Sequence, residues 1–387
     1  MADVELHVAR KNATDVFRKS VAESKIQFTD LEAAQQRAAS VRWKAIENLE
    51  KNLIAFDANF VKAGGRVLWA RNTEDAHNEI KQLIHQHGIN FRIASHNLAD
   101  ELSLESFLDT HRYKLLSKDD SQKTDIGIVE ALFMVAEPAA IVLAENSNRS
   151  SEVISDARAL LVVVYIDKFL NNLADLNLFL PLSSAFSSAG KNYSDINILF
   201  GPRSENEQYG PENIYVMFID NGRSNLLADT VMRQANRCIG CNACTKVCPV
   251  YNSTGGDETM ADVVFNGIIK AIEKPYLMDF DSYSFLSQSS TLCGACTAVC
   301  PVKIDLHKLI IHTRKKGVTE NKTHQREQLF FYLWKQAMLK RDRFGFAKRM
   351  QKKLLVENLY EKVWGVKTDM PPLADKSFNE LWKEKMK

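Results

Sequence analysis

Apolar residues recur at steps of three and four between residues 30 and 62, where Trp43, Ile46, Leu49, Leu53, Phe56 and Phe60 form one stripe. Positions three and four apart share a helical face, so the pattern predicts one long amphipathic helix. Gly64 and Gly65 stand where it should stop. The rhythm then changes to short apolar runs alternating with helical stretches. Strands are predicted at Arg66–Ala70, 91–95, 125–129, 139–144, 160–165, 196–200 and 214–219, with a helix over 73–86 capped by Thr73. The longest apolar run, 159–166, is β-branched and short. It suits a buried strand, since a membrane span needs about 20 apolar residues. Strand–helix alternation over this length predicts an α/β domain with a mostly parallel sheet and helices on its faces.

The alternation ends near residue 220. Residues 221–235 read as a connection, and beyond Lys315 the chain reads as helical and polar, with a tail after Pro371-Pro372. Between these points lie all seven cysteines, in two runs. The first is Cys238-Ile-Gly-Cys241-Asn-Ala-Cys244-Thr-Lys-Val-Cys248-Pro249, and the second is Cys293-Gly-Ala-Cys296-Thr-Ala-Val-Cys300-Pro301. The first spacing, C-x2-C-x2-C-x3-C-P, is that of bacterial iron–sulfur proteins, in which the last cysteine serves the neighbouring cluster. Closely spaced C-x2-C loops present their sulfurs on one side. The cysteine three residues further on lies past the loop, at the start of a helix whose first turn tolerates proline.

Crossed ligation therefore assigns Cys238, Cys241, Cys244 and Cys300 to one [4Fe–4S] cluster and Cys248, Cys293 and Cys296 to a second. The second set is one thiolate short. Aligning Cys300 on Cys248 places Ser290 where Cys238 would fall. The second centre is then a [3Fe–4S] cluster, or a [4Fe–4S] cluster with one iron held by another group. Ser290, Asp305, His307 and His312 are the candidates, against the plainer reading that the last three decorate the helix after Pro301. Zinc is the competing reading of paired C-x2-C motifs. The third x2 step, the two x3-C-P endings and the small Gly/Ala fillers that leave room for sulfide favour iron–sulfur. An odd cysteine count disfavours a full disulfide framework.

Composition narrows the partners. The chain has 387 residues, 45% apolar and 25% charged, with a net charge of +2. Such a balance is ordinary for a globular protein and supplies no global field for nucleic acid. Residues 1–25 carry scattered charge without an apolar core, so no secretory signal is expected. Free thiolates suit a reducing compartment, and a cytoplasmic location is expected. A basic stretch with Lys340, Arg341, Arg343, Lys348, Arg349, Lys352 and Lys353 has Phe344 and Phe346 interleaved. It reads first as a solvated helix face, and second as a peripheral contact with an anionic surface or acidic subunit. Asn221-Gly222-Arg223 reads as a turn with an exposed arginine that docks a partner or, more usually, braces the cysteine region. The nine histidines show no metal-ligand spacing, and no Ser/His/Asp set, phosphate loop or dinucleotide motif stands out. A self-contained hydrolase or nicotinamide dehydrogenase is not expected.

Taken together, Gly64-Gly65-Arg66-Val67, Gly201-Pro202, Ile219-Asp220-Asn221-Gly222-Arg223-Ser224-Asn225, both cysteine runs, Cys248-Pro249-Val250-Tyr251 with Gly255-Gly256, residues 289–304 and Lys376-Ser377-Phe378 resemble the lactate-utilisation iron–sulfur protein B family. The resemblance implies an N-terminal lactate-utilisation α/β domain followed by a mainly helical two-cluster ferredoxin-like domain. It implies a non-catalytic electron-transfer subunit of an L-lactate oxidation system, beside a cysteine-rich A subunit and an α/β C subunit. Serine in place of an eighth cysteine is that family's own pattern. The division expected is 1–62 helical segment, 63–222 α/β domain, 223–320 two-cluster domain and 321–387 helical tail. An electron donor or acceptor protein, or a quinone, would complete the circuit.

Departures from the family sit in the α/β domain. Gly127-Ile128-Val129-Glu130, Glu137-Pro138-Ala139-Ala140 and Ala94-Ser95-His96-Asn97 replace its glycine- and hydroxyl-rich loops, and the stretch between Asp109 and Lys123 is shorter than usual. Proline and alanine cradle an anion less well than glycine and hydroxyl residues. The alternative function is thus an assembly scaffold of another oxidoreductase complex, with a degenerate small-molecule site.

Overall fold

The computed structural model describes residues 21–320 apart from 24, 95–100, 118–119, 121, 188–192 and 255–267, together with 15, 19, 329, 332–336, 339, 376 and 378–386. The chain divides into two compact units, Met1–Gly317 and Val318–Lys387. In the second unit the helix Phe378–Lys385 is described. The basic stretch at 340–353 and the tail after Pro371-Pro372 as far as residue 375 lie outside the described residues, as do Gly255-Gly256, Ser95-His96-Asn97 and Ser377.

The first unit is built on a six-stranded parallel sheet of β1 (Arg66–Ala70), β2 (Asn90–Ile93), β3 (Lys114–Leu115), β4 (Thr124–Glu130), β7 (Ala157–Tyr165) and β10 (Asn213–Ile219), in the order β1-β10-β7-β4-β2-β3. β7 runs through its centre, where the continuous apolar stretch is covered on both faces. Leu160, Val162 and Val164 face one core with Phe56, Phe60, Val216 and Phe218. Ala159, Leu161, Val163 and Tyr165 face the other with Ile80, Phe91, Phe107 and Met217. Alternate residues of one strand thus divide between two cores, as a two-residue side-chain period requires. Gly127 in β4 is a packing glycine, because an added Cβ would lie 2.6 Å from Val153 and 2.8 Å from Ala157.

The structure departs from the pattern-based reading in three places. The helix expected over 30–62 is two, Leu31–Glu47 and Leu49–Lys62, joined at Asn48. The helix Thr73–His87 is capped by Asn72, whose side chain accepts from the Asp75 N–H at 2.9 Å, so Thr73 is its first residue and not its cap. The strands expected at 139–144 and 196–200 exist but do not join the parallel sheet. They are β6 (Ala140–Glu145) and β9 (Asp195–Leu199), paired antiparallel to each other. With β5 (Phe133–Val135) and β8 (Phe169–Leu170) they form a second sheet, ordered β8-β5-β6-β9. Alternation of apolar residues identifies a strand but carries no information about which sheet it joins.

That second sheet determines where the cysteines sit. Met134, Ile141 and Leu143 on one of its faces pack with the β7 core. Phe133, Val135, Ala140 and Val142 on the other share a core with Met232, Ile239, Cys244, Ile268, Cys300 and Leu309. The cysteine region therefore lies against the α/β domain across a continuous apolar layer.

Candidate metal centre

The two cysteine runs fold into short loops followed by the helices Ala243–Lys246, Pro249–Thr254 and Ala295–Val299. Gly240, Asn242, Leu292 and Gly294 adopt positive φ, which curls each loop around its sulfurs. Pro249 opens a helix as expected. Pro301 instead begins a turn, and the next helix starts at Leu306, because Lys303 takes a left-handed conformation at φ 51.

Cys238, Cys241 and Cys244 line one narrow cavity, and the fourth cysteine in its wall is Cys300, from the other run. Cys248 leaves its own run to line a second cavity with Cys293 and Cys296. None of the seven forms a disulfide. Among the described residues no three His, Cys, Asp or Glu side chains converge closely enough to hold a single ion. The thiols instead ring two volumes, the arrangement that a multi-atom cluster needs.

Burial pushes the thiols of Cys238, Cys241, Cys244 and Cys296 up, and that of Cys300 up to about 11. Neighbouring sulfurs push the same way: Cys238 and Cys300 raise Cys244, and Cys248 raises Cys296. Such thiols stay neutral without a cation among them, and a metal centre displaces their protons on binding. The Gly240 N–H donates to Cys238 Sγ and the Ile304 N–H to Cys300 Sγ, both at 3.4 Å. These donors favour a charged sulfur. The donor set fits iron–sulfur clusters.

Of the non-cysteine candidates, Ser290 and His307 line the second cavity. Asp305 pairs with Lys308 at 2.8 Å and His312 with Asp229 at 3.1 Å, and neither lines either cavity.

Two comparisons bear on this arrangement. Residues 234–304 match the 4Fe-4S dicluster domain and residues 54–219 match the LUD domain. Lactate utilization protein B from Geobacillus sp. (strain WCH70) is 27% identical over 362 residues, covering 76% of each chain. The protein of that name from Bacillus subtilis (strain 168) is 25% identical over 80% of this chain and 82% of its own. The one from Macrococcus caseolyticus is 34% identical over 52% of this chain and 42% of its own. Along most of its length the chain is similar to proteins named lactate utilization protein B. A DUF162 family protein from Deinococcus radiodurans, solved by crystallography, aligns with 44% of this chain and 98% of its own at 12% identity, with a TM-score of 0.33.

Loops at the carboxyl ends of β7 and β10 reach the cysteine region, as loops at that edge of a parallel sheet commonly carry function. Lys168 Nζ donates to the Cys238 carbonyl at 3.1 Å. Arg223 is buried, 5% exposed, and not the exposed arginine expected from its turn motif. It braces the junction: its guanidinium lies 3.2 Å from the Tyr165 ring centroid, 3.4 Å from Asp167 and 3.7 Å from Glu101. Gly222 just before it has φ +83, and an added Cβ would lie 2.5 Å from the Leu277 carbonyl oxygen.

Sequence reasoning missed Arg42, which is fully buried on the helix Leu31–Glu47. It donates to the carbonyls of Asp167, Phe169, Asn236 and Arg237, at 2.7, 2.5, 2.6 and 3.2 Å. It thereby ties the β7 loop to the residues that lead into Cys238. The overlooked clue was a charge in line with Ala38, Ala45 and Leu49, at steps of four and three.

Glu101 bonds Lys270 at 3.2 Å in the same junction. Burial works to raise its carboxyl, but Lys270 and Arg223 outweigh that and hold it below the ordinary carboxylate range. A depressed carboxyl stabilises the fold at neutral pH and loses that contribution as pH falls through its folded-state value. Glu101→Gln should therefore lower stability by on the order of 1 kcal/mol at pH 7, with the deficit vanishing in acid. Urea midpoints at both pH values test this. An equal loss at both would show that the charge is not the cause.

Proposed function

We propose that this protein is the iron–sulfur electron-transfer subunit of a multi-subunit system oxidising L-lactate to pyruvate. The observation that carries the reading is the regrouping of cysteines, four in one cavity and three in the next, with each run lending its last cysteine to the other. Cys238, Cys241, Cys244 and Cys300 would hold a [4Fe–4S] cluster, and Cys248, Cys293 and Cys296 a second [4Fe–4S] or [3Fe–4S] cluster. Each bound cluster would supply one-electron transfer.

The chain's own residues bury Cys244, Cys248, Cys296 and Cys300 and aim backbone N–H groups at the sulfurs of Cys238 and Cys300. They also place the two cavities side by side, since the helices Ala243–Lys246 and Ala295–Val299, which carry Cys244 and Cys296, lie in contact. Similarity to lactate utilization protein B supports a cysteine-rich A subunit and an α/β C subunit as partners, with lactate chemistry occurring outside this chain. A donor or acceptor protein, or a quinone, would exchange electrons with it. Among the described residues no helix is long and apolar enough to cross a membrane. The thiol-rich site suits the cytoplasm.

The scaffold reading has one observation in its favour: Cys244, Cys296 and Cys300 belong to the core shared with the second sheet, so clusters there would also stabilise the fold. Potentiometric titration of anaerobically purified protein, with iron and sulfide quantified, separates the two. Reversible one-electron couples are expected, with the clusters staying oxidised when lactate is added alone and becoming reduced once the partner subunits are present. Redox-silent clusters would leave the scaffold reading standing and remove the relay.

A further inference from the structure

The second cavity has three cysteines and two other groups of interest in its wall, Ser290 and His307. Hydrogen bonding around His307 settles which of its ring nitrogens is available. Its Nδ1 lies 2.8 Å from Thr297 Oγ1, and its backbone N–H donates to the same oxygen at 3.1 Å. With Nδ1 engaged by Thr297, Nε2 is the ring nitrogen left to bind a metal. Metal-ligating histidines are oriented in this way, through a hydrogen bond from the nitrogen that does not bind.

Ser290 is the weaker donor. Its Oγ already accepts from the Leu292 N–H at 3.1 Å. To bind iron as an alkoxide it would have to lose an alcohol proton in a half-buried cleft, where new charge is disfavoured. A neutral imidazole binds without losing a proton at neutral pH.

We propose that His307, through Nε2, is the fourth and only non-cysteine ligand of the centre held by Cys248, Cys293 and Cys296, and makes it a four-iron cluster. This rests on the iron–sulfur reading above. An imidazole in place of a thiolate leaves the second cluster one negative charge short of the first, so its reduction potential is the higher of the two, as histidine ligation does elsewhere.

The test uses the full chain, purified without oxygen and carrying histidine labelled with 15N in the ring, reduced and examined by electron–nuclear double resonance. A strongly coupled nitrogen on one of the two cluster signals is expected, retained in Ser290→Ala and lost in His307→Leu. His307→Cys guards against poor loading of the leucine variant. It should keep four irons, lose the nitrogen coupling and shift the second potential down. Wild-type protein with two clusters and no coupled nitrogen overturns the assignment, as does a three-iron signal, or coupling that disappears with Ser290 instead. A preparation without acid-labile sulfide overturns the cluster reading itself, and this assignment with it.

Discussion

Replacing Cys300 with alanine should empty the site built by the first cysteine run, although Cys300 lies in the second. Cys300 stands in one cavity with Cys238, Cys241 and Cys244, and Cys248 stands in the other with Cys293 and Cys296. A cubane cluster that loses one of four thiolates is left with an iron that water or oxygen can strip. Each variant should therefore lose roughly half of the bound iron, and each should lose the cluster of the opposite run. Electron paramagnetic resonance of the reduced protein reads this directly, because the two centres have different ligand sets. Cys248→Ala should leave the signal of the four-cysteine site and abolish the other. The opposite pattern, with each substitution silencing the cluster of its own run, would show that the runs are separate.

Arg42→Met should produce the largest loss of stability of any substitution outside the cysteines. The guanidinium satisfies four backbone carbonyls from two regions nearly 70 residues apart in the chain, Asp167 and Phe169 on one side and Asn236 and Arg237 on the other. Burial works to lower its pKa, and the neighbouring Asp167 works against that. Methionine fills similar space but leaves those carbonyls without donors in a dry interior, at about 1–3 kcal/mol for each buried group left unsatisfied. Relaxation and water entry recover part of this, so a net loss of about 3–5 kcal/mol is expected. Arg42→Lys should recover little, since an ammonium cannot span four carbonyls in a fixed fork. Urea unfolding followed by circular dichroism gives the magnitude. Iron content should fall in parallel, because Asn236 and Arg237 lead directly into Cys238. A loss below about 1 kcal/mol would mean that water replaces the guanidinium without strain.

The α/β domain shows how far a one-dimensional pattern reaches. β1 matches the strand expected at Arg66–Ala70, and β7 and β10 extend the expected strands at their N-terminal ends. Helix ends were harder to read. The stripe through Trp43, Ile46 and Leu49 runs straight across Asn48, so apolar periodicity alone shows no break there. The loop departures from the family have a structural counterpart. Ala139 holds φ 65 while fully buried, between the strands β5 and β6 of the second sheet. A glycine is easier to accommodate in that conformation, so the loop is strained as well as stripped of hydroxyl groups. This supports a packing role for the segment in place of an anion cradle.

Thiol chemistry was legible from the chain because a C-x2-C loop spans few bonds: the residues between two sulfurs fix how far apart they lie. Burial of β7 was legible for the same kind of reason, since a run of β-branched residues can satisfy itself only with apolar cover on both faces. What the tertiary structure alone decided were meetings between distant segments. They include Arg42 with the β7 loop, the second sheet between the β7 core and the cysteine region, Arg223 drawn inward, and Thr297 fixing the ring of His307. Such meetings depend on which surfaces pack together once the chain has closed loops of tens to hundreds of residues. That free energy belongs to the assembled core and is written into no short stretch of sequence.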